Sequence, residues 1–252
     1  MKLGVIGDIH GHLREMVLMI RALEEHGIDR CVLLGDLCDR GPQSLGCLRY
    51  GMTEGFLDRR GRYKPLEVVR GNHEDGYVRA WRGVTKPGRV GVAEPEESRL
   101  YSRIPKSTLG WMERLPIFIR VPELNLVCVH GGVTPRYVSL EEGGEFMLRV
   151  RFLTDDGRMA RGLMGNLFWA DAYDGRFGTI VFGHESHARP SRYEHAVAID
   201  GEGYRKVHAA VFSDENEGPI AFSCHYGGIP FEAPLDCDPY RYHAPSTQQV
   251  VR

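Results

Sequence analysis

Five short segments carry residue types that could bind metal ions: "GDIHG" at 7–11, "GDLCDRG" at 35–41, "GNHE" at 71–74, "HGG" at 130–132 and "GH" at 183–184. Together they offer Asp8, His10, Asp36, Asn72, His130 and His184. A mixed set of oxygen and imidazole donors suits Mn, Fe or Zn better than Ca or Mg. A carboxylate shared by two ions about 3.5–4 Å apart is the standard two-metal arrangement. Glycines beside each candidate ligand let the backbone turn sharply and approach an ion closely.

The elements that must position these residues are legible around them. Leu3 to Ile6 is an apolar run into Gly7-Asp8, and Cys31 to Leu34 runs into Gly35-Asp36. Between them Leu13, Met16, Val17, Ile20 and Leu23 recur at helical spacing, with Gly27 placed as a C-cap. A second helix is expected to open near Pro42, and "LEVVRGNHE" supplies a third strand. This rhythm predicts βαβ units with a mostly parallel sheet. In such a sheet ligands bind beyond the carboxyl ends of the strands, so the five polar segments should converge. "PIFIRV" and "LNLVCVHGG" read as a hairpin or adjacent strands, and "GTIVFGH", "HAVAID", "KVHAAVFSD" and "GPIAFSCHY" as four more. Residues 84–115 and 136–178 read as irregular, cap-like segments that would carry substrate choice. The proline-rich tail from Pro230 is expected to lie along the surface. A single domain over residues 1–252 is expected.

Composition narrows the class. The 252 residues carry 32 Lys and Arg against 34 Asp and Glu, a net charge of -2. That balance argues against a non-specific nucleic-acid binder, which carries a basic excess. The six cysteines form no CxxC pair, so neither a zinc knuckle nor a disulfide framework is expected. The apolar run at the N-terminus is too short for a signal peptide, and no run is long enough to span a bilayer. A cytoplasmic protein with reduced thiols and no membrane partner is the expectation.

The ordered series "GDIHG … GDLCDRG … RGNHE … HGG … FGH" resembles the phosphoprotein phosphatase family of calcineurin-like metallophosphoesterases, over roughly Met1 to Phe222. The resemblance implies an α/β fold with two central mixed β-sheets flanked by helices. It implies two divalent metal ions, Mn first and Fe or Zn as alternatives. Asp8, His10 and Asp36 would hold one ion; Asp36, Asn72, His130 and His184 would hold the other, with Asp36 bridging. His73 would be the general acid, oriented by Asp39, with Arg40 and Arg70 binding phosphate. A hydroxide bridging the ions would attack phosphorus directly. A histidine near neutral pKa can protonate the leaving oxygen, and arginine forks suit phosphoryl oxygens. "GDLCDRGPQSLGCLRY" and "LGWMERLPIFI…LVCVHGGVTP" are similar to bacterial diadenosine tetraphosphate hydrolases. "RVRF" at 149–152 and "FWADAYDGR…IVFGH" are similar to smaller bacterial members, among them asymmetric diadenosine tetraphosphatases and the phosphatase module of RNA end-healing enzymes. The implied substrate is a dinucleoside polyphosphate or a phosphomonoester, phosphoserine or phosphothreonine protein included. Nucleic-acid end processing is the alternative, and a non-enzymatic scaffold a third.

The chain departs from the family pattern in places. "GHES" stands where the family has "GHTP", and "IDGEG" at 199–203 where it has "IDTG". Asp200 still matches and would support a ligating histidine from behind. His187 could be an extra ligand or a solvated loop residue. Arg149, Arg151 and Arg161 compete for a further phosphate contact. Cys38 reads as packing, "RRGRYK" at 59–64 as a solvated basic turn, and His26, His195, His208, His225 and His243 as structural.

Overall fold

A computed structural model describes residues 1–85, 100–160, 162, 166–201, 205–215 and 218–236. The apolar runs become strands as their patterns demand. β1 (Lys2–Ile6) and β2 (Arg30–Leu33) pair in parallel, and β2 pairs in parallel with Glu67–Val68. Side chains alternate across both strands. Leu3, Val5, Val32 and Leu34 point to one cluster of buried residues, and Ile6, Cys31 and Leu33 to another.

The parallel reading holds for only half of this sheet. Lys206–Ser213 lies antiparallel to β1, Ile220–His225 lies antiparallel to that strand, and Phe231–Ala233 pairs antiparallel at the edge. The result is a six-stranded mixed sheet. Phe231 and Glu232 are exposed on this edge strand, and Pro230 stands before it and takes nothing from its ladder. Residues 237–252 lie outside the described residues.

The second sheet has five strands in the order Ser191–Arg192, Ala196–Ala198, Thr179–Phe182, Leu126–Val129 and Phe118–Val121. Phe118–Val121 and Leu126–Val129 form the expected hairpin, while Thr179–Phe182 joins Leu126–Val129 in parallel. The two sheets pack face to face. Leu3, Val5 and Val32 share one buried cluster with Leu126, Cys128, Val181 and Val197. On the outer face of the first sheet lie helices α1 (Leu13–Glu25), α2 (Ser44–Thr53) and α3 (Asn72–Trp81). α1 buries Met16, Ile20 and Leu23 of the stripe read from sequence and Met19 besides, with Leu13 and Val17 half-buried, and Gly27 ends it with φ +68°. α2 starts at Ser44, two residues past the expected Pro42.

The two expected irregular segments carry more order than their composition suggests. Lys106–Arg114 is a helix whose Leu109 and Met112 join the α-side core. Residues 152–168 hold a small antiparallel sheet of three two-residue strands. Residues 86–99 lie outside the described residues. No helix among the described residues is long and apolar enough to cross a membrane.

The consequence for chemistry is geometric. β1, β2, Glu67–Val68, Leu126–Val129 and Thr179–Phe182 all run the same way within their sheets, so their carboxyl ends share one edge of the sandwich. Polar bonds stitch that edge across the two sheets. His130 Nδ1 bonds the Leu34 carbonyl at 2.9 Å, and the His184 amide donates to Asp8 Oδ1 at 3.2 Å. Gly7 lies under this seam: a Cβ there would stand 1.9 Å from the Ile199 carbonyl oxygen. Backbone blocks it, so the clash cannot be relieved by a rotamer change. Gly7→Ala should therefore lose about 3 kcal/mol or more of stability, measured as a lower urea midpoint at an unchanged m-value.

Candidate active site

Asp36 stands at the centre. Its Oδ1 accepts the amide of His73 at 2.9 Å. Its Oδ2 faces three imidazole nitrogens: His130 Nε2 at 3.4 Å, and His10 Nε2 and His73 Nε2 each at 3.7 Å. The tautomers of His10 and His130 follow from their other contacts. His10 Nδ1 donates to the Cys38 carbonyl at 3.0 Å and His130 Nδ1 to the Leu34 carbonyl at 2.9 Å. A carbonyl only accepts, so each Nε2 turns a lone pair towards Asp36. Burial pushes both imidazoles down, His10 to about 3. They sit neutral, in the form that ligates metal.

The remaining candidate ligands surround this centre. Asp8 is buried, with Oδ2 3.7 Å from His10 Nε2. Asn72 Oδ1 lies 2.8 Å from His130 Nε2. Two groups of donor atoms lie within 4.8 Å of one another: His10, Asp36 and His73, and Asp36, His130 and His184. Asp36 is common to both. His73, expected as the acid, thus brings its Nε2 in among the ligand atoms.

The donor chemistry fits divalent cations. Asp8, Asp36 and Asp200 are three buried carboxylates in one site. Burial, then Asp200 and Asp36, push the Asp8 carboxyl well up, and burial and Asp36 push Asp200 up to about 8. Asp36 goes the other way: despite burial, His130, His73 and His10 hold it well down. Buried like charges of this kind need a counter-charge between them. Two details point the same way. His130 Nε2 and Asn72 Oδ1 are both acceptors, yet they touch. Asp200 Oδ1 is buried with no hydrogen-bond partner.

The backbone around these residues is strained. His10, Asp36, Asp39, Arg40 and His184 all have positive φ, between 46° and 67°. Such conformations cost a non-glycine residue about 1 kcal/mol or more and persist only where the surroundings over-determine them. Glu74 does this for the central loop. Its buried carboxylate accepts the amides of Asp36 at 2.8 Å, Leu37 at 2.8 Å and Gly71 at 3.0 Å. Cys38 Sγ donates to the same carboxylate at 3.3 Å. Burial and Asp36 push Glu74 up to about 7. Glu74 is quoted within "GNHE", but its role is not visible in sequence, because the groups it holds lie 36–38 residues away.

His73 and Asp39 form a pair. His73 Nδ1 is 2.6 Å from Asp39 Oδ2. Burial works against the charged imidazole, but Asp36 and the bonded Asp39 outweigh it and push His73 up to about 9. Asp39 is itself held by its amide on Ser44 Oγ at 3.0 Å and by the Tyr77 hydroxyl, which donates to Oδ1. Sequence reading misses Tyr77; its place one turn after His73 on α3 is the signal that was available.

The arginines divide sharply. Arg40 is exposed, and its charge favours the ionised forms of Asp8 and Asp200. Arg70 is buried, with Nη2 on the carbonyls of Glu113 and Leu115 and Nη1 3.6 Å from Asp75. Arg149 Nη2 bonds Asp75 at 2.7 Å. Arg151 Nε donates to His184 Nε2 at 2.9 Å and lies 3.1 Å from Glu185. Arg161 lies outside the described residues.

Other expectations resolve as follows. The Asp200 carboxylate accepts the Ser186 hydroxyl at 3.3 Å and no histidine ring among the described residues, while its backbone carbonyl accepts the His187 amide at 2.9 Å. His187 is fully buried, with Nε2 on the Tyr193 hydroxyl and rings of Phe168 and Phe182 around it. It is a core residue, neither ligand nor solvated loop. His208, held between Ser223 and the His187 carbonyl, is another. His26 packs edge-on to Phe222, and His225 stacks on Phe231. His195 packs edge-on to Tyr173, and His243 lies outside the described residues. Residues 59–64 form a hairpin turn in which Asp58 pairs with Arg62 at 2.7 Å and Asp29 with Arg59 at 2.6 Å. Two of the four cationic residues of that turn are thus paired at short range.

Comparison with known proteins agrees with this geometry. A sequence model described as calcineurin-like phosphoesterase matches residues 1–215. The symmetrical bis(5'-nucleosyl)-tetraphosphatase of Chromohalobacter salexigens is 32% identical over 177 residues, 68% of this chain and 60% of that protein. Its namesake from Psychromonas ingrahamii is 26% identical over 145 residues, 56% of this chain and 47% of that protein. The match spans about half the length of these curated relatives. Among solved structures, a candidate diadenosine tetraphosphatase superposes with TM-score 0.66 at 23% identity, covering 93% of each chain. A metallophosphoesterase from Sphaerobacter thermophilus superposes with TM-score 0.53 at 16% identity, covering 90% of this chain and 89% of its own. The fold is theirs, and the chain belongs to the calcineurin-like phosphoesterase family.

Proposed function

We propose that this chain is a phosphohydrolase that works with two divalent metal ions, Mn in the first place, and acts on a small phosphorylated substrate, a dinucleoside polyphosphate before a phosphomonoester. One observation carries the reading: Asp36 lies between His10, with Asp8 3.7 Å from that ring, and the pair His130 and His184, while the His73–Asp39 pair stands 3.7 Å from the same carboxylate. The names of the bis(5'-nucleosyl)-tetraphosphatase relatives support the choice of substrate.

Asp8, His10 and Asp36 would hold one ion, and Asp36, Asn72, His130 and His184 the other. Bound there, the ions supply an acidified water and draw charge from phosphoryl oxygens. The chain's own residues do the rest. His10 and His130 are locked by carbonyls with Nε2 inward, so no reorientation is needed. Asp39 accepts a hydrogen bond from the Nδ1–H of His73 and favours the charged ring, leaving Nε2–H to protonate a departing oxygen. Tyr77 and Ser44 fix Asp39, and thereby the direction of that proton. Arg40, exposed beside Asp8 and Asp200, is placed to meet phosphoryl oxygens at the mouth.

The deciding experiment is a hydrolysis panel at fixed Mn: diadenosine tetraphosphate, a phosphothreonine peptide, a 2′,3′-cyclic nucleotide and p-nitrophenyl phosphate. Cleavage of the dinucleotide far faster than the others is expected; no cleavage of any of them sinks the reading. His73→Ala should lower kcat about 10²–10⁴-fold while bound metal, measured by elemental analysis, stays unchanged. Asp36→Asn should instead lose bound metal at both positions, since it removes the shared carboxylate. Glu74→Gln should weaken metal affinity about 10–100-fold, because an amide cannot accept all three loop N–H groups.

A further inference from the structure

α3 carries a stripe that this chemistry uses only at its first residue. Asn72, Asp75, Arg79 and Arg82 fall at i, i+3, i+7 and i+10, one face of a helix. Asn72, a candidate ligand, stands at one end. Arg82, which caps the helix, stands at the other, about 15 Å away at 1.5 Å per residue. The stripe therefore leads outward from the metal site.

Glu145 reaches this stripe from the turn Gly144–Leu148. That turn packs against the "HGG" segment, where the Gly132 amide donates to the Met147 carbonyl at 2.9 Å. Glu145 Oε1 lies 3.6 Å from Arg70 Nη1 and 3.9 Å from Arg82 Nη1, and Oε2 lies 3.8 Å from Arg79 Nη1. All three separations exceed a hydrogen bond. One carboxylate thus sits among three guanidinium groups without properly satisfying any. Its neighbours are otherwise engaged: Asp75 with Arg70 and Arg149, and Glu113 with Arg82 Nε at 2.6 Å. Among the described residues, four guanidinium groups meet three carboxylates here, so positive charge is in surplus. The side chains of Arg79, Arg82 and Glu145 are 39–46% exposed, so Glu145 can turn into water without leaving a buried void.

We infer that Arg79 and Arg82, with Glu145 as a displaceable placeholder, form an anion track for the linked phosphoryl groups of a polyphosphate substrate beyond the one that is attacked. A phosphoryl chain offers several charged oxygens to planar guanidinium forks, where Glu145 offers two that do not reach. A monoester such as p-nitrophenyl phosphate ends at the metal site and never enters the track. The inference deepens the phosphohydrolase reading by naming its substrate class, yet it can be tested without catalysis.

Binding of inorganic tripolyphosphate and of diadenosine tetraphosphate to metal-free protein is measured by calorimetry, with orthophosphate as reference. The double variant Arg79→Ala/Arg82→Ala should weaken both phosphoryl chains about 10-fold or more, less than two fully buried charge-assisted contacts would cost because both guanidinium groups are half exposed, and leave orthophosphate unchanged. Glu145→Gln should tighten both several-fold. Under Mn, the double variant should raise KM for diadenosine tetraphosphate and leave kcat/KM for p-nitrophenyl phosphate unaltered. Unchanged chain binding in both variants overturns the track while leaving the hydrolase reading intact. Absence of all hydrolysis, with chain binding still lost in the double variant, sinks the hydrolase reading and keeps the track. Equal weakening of orthophosphate and tripolyphosphate also overturns it, for the arginines would then act as general charge only.

Discussion

The site depends on a buried carboxylate that touches no substrate. Glu74 gathers the amides of Gly71, Asp36 and Leu37 and the thiol of Cys38. Those groups belong to two separate strand ends, and Glu74 ties both to the first turn of α3. Without that acceptor, three buried N–H groups would be unpaired, each at a cost of about 1–3 kcal/mol. The backbone would also lose its reason to hold Asp36 at φ 49°. Asp36 is in turn the one residue common to both groups of metal-binding donors. A structural carboxylate thus sets the position of a functional one.

The arrangement concentrates negative charge where a protein can least tolerate it. Asp8, Asp36, Asp39, Glu74, Asp75 and Asp200 are all nearly inaccessible. Each answers the desolvation cost differently. Asp75 has two arginines, Asp39 has His73 and Tyr77, and Glu74 has backbone amides. Asp36 accepts the His73 amide on Oδ1 and faces the charged His73 ring with Oδ2. Asp8 and Asp200 are the residual problem, since burial and mutual repulsion push both carboxyls up. The same defect that would make a core unstable makes this edge a strong cation trap. Strain at five residues and surplus charge at two are two aspects of one design, in which fold energy pre-sets a ligand sphere.

How much of this was legible beforehand follows from the range of the interactions. Strand ends are local: an apolar run followed by Gly-Asp announces itself, and the convergence of the five ends follows from parallel topology. The α1 stripe is equally local, and Met16, Ile20 and Leu23 are buried as their spacing requires. What could not be read depends on long-range partners. The antiparallel half of the first sheet rests on Lys206–Ser213 returning across the whole chain to β1. The hidden strand Phe231–Ala233 needs an open edge that only the assembled sheet presents. His187 sits in a polar-looking loop sequence, and only the ring of Phe168, Phe182 and Tyr193 makes it a core residue.

Arginine illustrates the same limit at the level of single atoms. In sequence Arg40 and Arg70 read as phosphate contacts by resemblance alone, and Arg149, Arg151 and Arg161 compete for a further one. Surroundings separate Arg70, Arg149 and Arg151 by what their N–H groups already hold. Arg70 and Arg149 lock the buried Asp75, and so clamp the strand end before α3 to the segment after "HGG". Arg151 spends Nε on His184 and Nη2 on the His184 carbonyl, which steadies a residue held at φ 65°. Arg79 and Arg82 lie in no motif, yet they keep N–H groups turned towards a carboxylate too distant to take them. Half-exposed as these groups are, water meets the N–H donors that the chain leaves open, and a charged acceptor can take its place. Where the fold holds several such groups together on one exposed stripe, the acceptor that would complete them is better sought in a ligand than in the chain.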